Sequence, residues 1–525
     1  MKFGSFSAYI GGRDVVGDDP RYVYTVAARP IIEDTFPRLR HKQDLDRGAA
    51  DPALAGDGVV GACLVADASM VDRALDSAAV AARDWRRVPV ADRLEVGRRI
   101  AKRILEHRDP LVEILVAEGT PRSMAEPMIA GLPYTSWSPE TLEWCAEQLE
   151  IRRWDGEREM ILRRVPDGVV CINPPQNAAT VNALNGLTAL LAGNAVVVRA
   201  PRGVGLSCMY AMREIVAPVL AEAGAPPGTL NAFCGPPMLE DWLASPHVDD
   251  VLYYGGSRKG LEFERAAVAA GKKPILELAG NDCCVVWHDA DLDAAVQSVT
   301  QFFMNSGQIC NVPNQVIAHP AIADELIARL VVATKQIRPG FPDEPGVVLT
   351  PVLGVDWFYG CLNEALAKGA RLVHGGRRLE VDGSPSATGF FVEPTIVRLD
   401  GLADARSLSV VRDETFFPLL PIIVPARGDD TALLNEVLHF VNSNPYGLRN
   451  SVWTNGAATI DAFLDGVTNG GTLKINDSHS GFLPFLPNQG GPGLTGGAFG
   501  EASHPMLRTT RLQAVSVLRP EGATS

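Results

Sequence analysis

An α/β protein built from doubly wound, largely parallel sheets is predicted by three observations. From Gly168 onward, short, fully apolar strand-like runs alternate with helix-length stretches. The same alternation begins again near residue 277. At 525 residues, the chain is too long for one compact core. Strands without polar alternation are covered on both faces, and interleaved helices are what cover a parallel sheet. A content of 46% hydrophobic and 21% charged residues is that of a folded globular chain.

The elements follow in order. Val15 to Gly61 mixes Pro, Gly, Asp and Arg without periodicity, which predicts a long, loop-rich arm. Helical spacing starts at Met70, with Val71, Leu75, Ala78, Ala82 and Trp85 at steps of three and four. A second helix is expected after Asp92, a residue suited to an N-cap, with Ile100 and Ile104 on one face. Residues 151–168 predict a charged β-hairpin turning at Asp155-Gly156. The first sheet comprises GVVCI (168–172), AVVVRA (195–200), TLNAFC (229–234), DVLYY (250–254) and PILEL (274–278). A helix from Leu206 to Ala223 ends at Gly224. The second sheet comprises CCVVW (283–287), QVIAH (315–319), PLLPIIV (418–424) and GTLKI (471–475), with a helix from Ala290 to Asn305. Asp289 and Asp291 are expected to cap that helix. RLQAVSVLRP (511–520) reads as a late strand.

A net charge of −14 disfavours nucleic acid and anionic membrane as partners. No apolar run is long enough to span a bilayer, and MKFGSFSAYIGGRD lacks the apolar core of a secretory signal. The nine Cys are scattered and odd in number, without metal-ligand spacing, and the nine His include no H-x-x-x-H pair. The expectation is a cytoplasmic protein with reduced thiols and no metal.

Three local features could carry chemistry. FFMNSGQIC (302–310) sets Cys310 after a Gly-containing turn at the end of a helix, where a thiolate nucleophile needs access. LELAGND (276–282) puts Glu277 at the end of an apolar strand, where a carboxylate is costly unless paired, solvated or used. GVVCINPPQNAAT (168–180) presents Asn177 on a Pro-rich turn, where its amide can donate to a developing oxyanion. Taken singly, each has an ordinary reading: a core cysteine, a strand-end acid facing solvent, a helix cap. Cys283 and Cys284, in an apolar strand, read as buried structural thiols.

Taken together, and in the chain order Asn177, Glu277, Cys310, they resemble the aldehyde dehydrogenase superfamily. The resemblance runs from about residue 68 to about residue 476. It also rests on DADLDAAV (289–296), DETFFPLLP (413–421), YGLRNSVWT (446–454) and GTLKIND (471–477). It implies Cys310 as nucleophile, Glu277 as general base and Asn177 as oxyanion donor, with the Cys310 backbone N–H as second donor. An aldehyde would be oxidised with NAD or NADP through a Cys310 thioester, which water activated by Glu277 would hydrolyse. CoA-dependent relatives, in which CoA removes the acyl group, generally lack the Glu, so Glu277 points to water. A catalytically silent structural member of the fold is the other alternative, and retention of all three residues argues against it.

The resemblance further implies cofactor contacts. YYGGSRKG (253–260) matches the turn beside the pyrophosphate, with Gly255, Gly256 and Ser257; the family more often has Ser where Gly256 stands. VVVRAPRG (196–203) matches the adenosine-ribose element. There Arg199 replaces a usual Lys, and Arg202 stands where NAD-preferring members often carry Glu. Arg202 would welcome a 2′-phosphate, so NADP is accepted on this reading. Glu414 and Phe416 match residues that hold the nicotinamide ribose and ring, while Phe417 adds bulk where Gly is common. The implied layout is a Rossmann-like cofactor domain (1–150 and 169–276), a catalytic domain (277–478) and a small β oligomerisation element (151–168 and 479–525). A homodimer or homotetramer is expected. Phe302, Phe303, Trp137, His479 and Phe482 are candidates for lining an apolar or aromatic substrate tunnel. The Gly-rich segment 488–505 departs from the family pattern, so the aldehyde is not carried over.

Overall fold

The structure is a computed structural model describing residues 1–52, 58–500 and 502–518. Residues 53–57 of the expected arm, position 501 of the Gly-rich segment and 519–520 of the expected last strand lie outside the described residues.

Two seven-stranded sheets carry the molecule, each covered by helices, as the uniformly apolar strands require. The first runs in the order Lys273–Glu277, Asp250–Tyr254, Val169–Asn173, Ala195–Pro201, Leu230–Gly235, all parallel. Ala8–Ile10 and Arg13–Val15 then extend it in antiparallel fashion. The chain therefore enters at the central strand Val169–Asn173, steps outward twice, and returns to build the other side. Such a reversal opens a crevice beyond the carboxyl ends of the two strands that flank it, here Val169–Asn173 and Asp250–Tyr254.

The second sheet runs Arg371–His374, Thr395–Asp400, Leu419–Val424, Gln315–Ala318, Cys283–Val286, Arg449–Trp453, Thr472–Ile475. It is parallel except for the first edge strand. Cys283 and Cys284 point to opposite faces, and each is fully buried in a separate apolar cluster. Residues 278–282 alone connect the last strand of the first sheet to Cys283–Val286. The carboxyl edge of one sheet thus meets the amino edge of the other.

A third, antiparallel sheet joins Glu150–Asp155, Arg158–Pro166 and Thr510–Leu518. The hairpin is as expected, but its turn falls one residue later, because Asp155 pairs with Arg158. The helix Ala68–Trp85 is capped by Asp67, and its five predicted apolar positions are buried. The helical stretch from Gly205 to Glu222 ends before Gly224, whose φ is +69°. Asp291 caps Leu292–Thr300 as expected, whereas Asp289 accepts from the Thr454 hydroxyl at 2.6 Å.

Three expectations are corrected. The arm is not loop-rich: it folds into short strands and the helices Ala28–Glu33 and Thr35–Asp46. Ala28–Glu33 buries no residue and Thr35–Asp46 buries only Leu45, so neither has a periodic apolar face to read. The helix near Asp92 begins at Val90 after Pro89, leaving Asp92 in the first turn rather than at the cap. The helix expected to reach Asn305 is regular only to Thr300. Beyond it the chain tightens, and Asn305 and Ser306 adopt left-handed backbone with φ of 52° and 54°.

The N-terminal helices also touch the second sheet's body. The Arg29 guanidinium lies 4.0 Å from the Phe341 ring centre and 2.9 Å from the Asp343 carboxylate. Ile32 packs against Leu349, Leu379 and Phe391. No helix among the described residues is long and apolar enough to cross a membrane.

Candidate active site

Where the two sheets meet there is a cavity of about 920 Å³. Its wall includes Asn177, Gly255, Gly256, Glu277, Cys310, Glu414 and Phe416. Seven of the ten candidate catalytic and coenzyme-binding residues read from the sequence are therefore gathered at one place. Ser257 and Arg199 line neither this cavity nor the next, and Arg202 lines a second one.

Cys310 stands apart from the other cysteines: all nine are free thiols, eight are buried, and Cys310 alone is partly exposed. Its loop is held by the left-handed turn at Asn305–Ser306. There the Ser306 hydroxyl donates to the Thr350 carbonyl at 2.7 Å and accepts from the Thr350 N–H at 2.9 Å. Glu277 ends its strand with its carboxylate 4.0 Å from the Cys310 sulfur. The other Glu277 oxygen accepts from the Gly490 N–H, a backbone donor in the Gly-rich segment. That segment is tied down beside Glu277, since the Leu278 N–H donates to the Thr495 carbonyl at 2.8 Å. The Asn177 amide donates to the Gln308 carbonyl at 3.2 Å, two residues before the thiol, and keeps a second N–H for another acceptor.

Electrostatics are set by burial. It pushes the Glu277 carboxyl up from its ordinary 4.5 to about 8, against the Gly490 hydrogen bond and the Arg449 charge. Glu414 is raised to about 8 for the same reason, although it accepts from the Gly280 N–H at 2.9 Å. Burial, and then Glu277 and Glu414, hold the Cys310 thiol well above its ordinary range. The pocket therefore opposes extra negative charge in the absence of a ligand.

Sequence reasoning missed several residues. The buried Arg449 donates to the carbonyls of His479 at 2.8 Å, Gly481 at 3.1 Å and Asn488 at 2.9 Å, fixing the loop that closes the cavity. Its backbone N–H donates to Asp282. Gln489 links Asn182 and Asn185 on the wall, at 2.6 and 2.9 Å. Their motifs were visible, but these contacts join segments far apart in the chain. Other candidates are relocated. Phe302, Phe303, Trp137 and His479 are buried in the core, and only Phe482 of that set lines the cavity. Phe417 also turns away, stacking edge-on against Phe358 at 5.6 Å, so its bulk does not enter the pocket.

The crevice fits a dinucleotide. Gly256 caps the helix Ser257–Ala269, and a Cβ there would meet nothing within 4 Å. The Ser257 hydroxyl is buried without a partner at that helix N-terminus. Free N–H groups and a hydroxyl at a helix start suit phosphate oxygens. The corresponding end of the Gly205 helix is already filled, because Glu118 accepts from the N–H groups of Leu206 at 2.8 Å and Ser207 at 3.2 Å. Arg199 is buried, donating to the Asn173 side chain and the Pro174 carbonyl. It steadies the turn that carries Asn177 rather than facing either cavity.

A model of the aldehyde dehydrogenase family matches residues 48–509. An aldehyde dehydrogenase of Talaromyces stipitatus is 29% identical over 445 residues, covering 80% of this chain and 81% of that protein. The succinate-semialdehyde dehydrogenase of Burkholderia pseudomallei is similar in fold, with a TM-score of 0.79, 24% identity and 98% of each chain covered. So is a glyceraldehyde-3-phosphate dehydrogenase of Methanocaldococcus jannaschii complexed with NADP, at a TM-score of 0.73 and 23% identity. That match covers 87% of this chain and 95% of the other.

The raised carboxyl of Glu277 has a consequence for stability. Between pH 4.5 and about 8 the folded protein holds a proton that the unfolded chain has lost. The associated stability is complete below pH 4.5 and disappears as pH rises to about 8. Glu277→Gln should leave the melting temperature close to wild type at pH 5 and raise it above wild type at pH 9. Scanning fluorimetry across pH reads this, and parallel wild-type and variant curves would contradict it.

Proposed function

The chain belongs to the aldehyde dehydrogenase family, and we propose that it oxidises an aldehyde to a carboxylic acid through a thioester on Cys310, with NAD or NADP as coenzyme. The observation that carries this reading is a cavity-lining thiol 4.0 Å from a buried carboxylate, in a cavity that also holds Asn177.

The residues divide the work. Cys310 loses its proton to solvent and attacks the carbonyl carbon, forming a C–S bond. The free N–H of Asn177 and the Cys310 backbone N–H receive the oxyanion. When bound, the coenzyme supplies the hydride acceptor that the oxidation requires. Gly255, Gly256 and Ser257 would hold its phosphates, Glu414 and Phe416 its nicotinamide end, and Arg202 its adenosine end. Glu277, held by Gly490, then takes a proton from water, whose oxygen attacks the thioester carbon. The C–S bond breaks, and the acid and the free thiol are released. In this division, 1–150 and 169–276 carry most of the coenzyme contacts and 277–478 carries Glu277 and Cys310, while the wall around the aldehyde also draws on segments outside 277–478.

Substrate class follows from the wall. Met124, Leu132, Ile309, Phe482 and Phe485 line the cavity, which favours an apolar or aromatic aldehyde. A second copy of the chain is the natural cover for the third sheet, where Trp154, Leu162, Leu512 and Leu518 are exposed. Light scattering should give a dimer or tetramer, and a monomer at micromolar concentration would overturn that assignment.

Because a base with a pKa of about 8 must be ionised to work, kcat should rise with pH through about 8. Asn177→Ala should lower kcat by about 100- to 1000-fold, the usual cost of one oxyanion donor. Steady-state kinetics with an aromatic aldehyde read both. A flat profile from pH 6 to 9, or an unimpaired Asn177→Ala, would contradict the assignment.

A further inference from the structure

The wall of the cavity between the two sheets carries one polar strip that the thioester chemistry leaves unused. Three carboxamides form it. The Asn185 amide donates to the Gln489 side-chain oxygen at 2.9 Å, and the Gln489 amide donates to that of Asn182 at 2.6 Å. The Asn182 amide donates in turn to the Ala178 carbonyl at 3.2 Å. The Tyr254 hydroxyl closes the group, 3.4 Å from the Gln489 oxygen. All four side chains line the cavity. Asn182 and Asn185 lie on the helix Ala179–Gly186, which follows Asn177. Gln489 precedes Gly490, whose N–H holds Glu277. The strip therefore stands beside the reacting atoms. Asn182 and Gln489 each use one amide hydrogen in these bonds and keep another. A bound ligand that dries such a hydrogen must bring an acceptor, or the unmet donor weakens binding.

Charge is the second constraint. Among the described residues no Lys or Arg lines the cavity. His504 does, on left-handed backbone with φ of 56° and with its ring centre 4.8 Å from that of Trp144. Burial pushes its proton affinity below the ordinary 6.5, against the Phe485 backbone, so it adds no cation at neutral pH. Three acids line the wall, yet none is free to act as a counter-ion. Glu118 is committed to the N–H groups of Leu206 and Ser207, and burial keeps Glu277 and Glu414 protonated up to about pH 8. A substrate carboxylate, phosphate or ammonium buried here would lack a partner. We propose that the substrate is an uncharged aromatic aldehyde whose ring carries a hydrogen-bond-accepting oxygen, such as a hydroxymethyl or ether group, and that Asn182 and Gln489 read that oxygen. This rests on the thioester reading and narrows its substrate class. The apolar wall supplies most of the contact, and the amide strip fixes orientation.

The test is steady-state kinetics of the full chain with two pairs of substituted benzaldehydes. The first pair, 4-formylbenzamide and 4-formylbenzoate, has nearly one shape and differs in charge. Wild type should favour the amide in kcat/KM by about 100-fold or more, the scale of an unpaired buried charge. The second pair sets a hydroxymethyl against a methyl substituent, at ring positions 3 and 4. One position or both should favour hydroxymethyl by about tenfold, the scale of one hydrogen bond. Asn182→Leu and Gln489→Leu should each bring that second ratio to about one. Gln489→Lys should lower the first ratio about tenfold or more. Ratios are taken within each variant, so a general loss of activity cancels. A benzoate or a trimethylammonium-substituted benzaldehyde turned over as well as the amide would overturn the proposal. So would a hydroxymethyl preference that is absent in wild type or survives both leucine variants. Each of these leaves aldehyde oxidation in place. A wild-type chain that oxidises none of these aldehydes and forms no adduct on Cys310 with either coenzyme would remove the thioester reading itself, and this proposal with it.

Discussion

Gly280 and Cys310 are packed so closely that a Cβ at position 280 would collide with the Cys310 carbonyl oxygen. Only glycine permits that approach. The contact locks the short link 278–282, which leaves the first sheet, against the loop that precedes a strand of the second. Glu277 stands just before the link and Cys310 on the loop, so one backbone contact fixes the separation of carboxylate and thiol. The cavity exists because the two sheets meet edge to edge at this point.

The same junction concentrates buried charge. Glu277, Glu414 and Asp282 are all raised by burial, and Arg449 is the cation that offsets Glu277 and Asp282. Burying carboxylates costs stability that a purely apolar junction would not lose. The return is a Glu277 carboxyl whose proton affinity is raised to about 8 beside a Cys310 thiol held above its ordinary range. Arg449 also spends its donors on carbonyls of the closing loop, so charge balance and cavity shape depend on one side chain.

Much of this was legible in the sequence, for a physical reason. Parallel strands such as Ala195–Pro201 and Leu419–Val424 are apolar on both faces, and that leaves an unmistakable run of letters. The helix Ala68–Trp85 buries one regular stripe and is equally plain. Cys310, Glu277 and Asn177, which share the cavity wall, stood out in the sequence because each carries distinctive side-chain chemistry. What stayed hidden works through backbone or through distance. Gly490 holds Glu277 with an N–H that any residue possesses. The N-terminal helices bury too little to leave a periodic signal. The direction in which Phe417 or Trp137 points depends on neighbours in other elements of the chain, Phe358 and Leu184, so an aromatic in a motif was readable as a residue but not as a wall.

The most direct check on the central claim is the mass of the intact chain during turnover. Glu277→Gln protein mixed with an aromatic aldehyde and NAD or NADP should accumulate one acyl group, which peptide mapping places on Cys310. An unmodified Cys310 in that variant, with wild-type turnover surviving Cys310→Ala, would contradict the account.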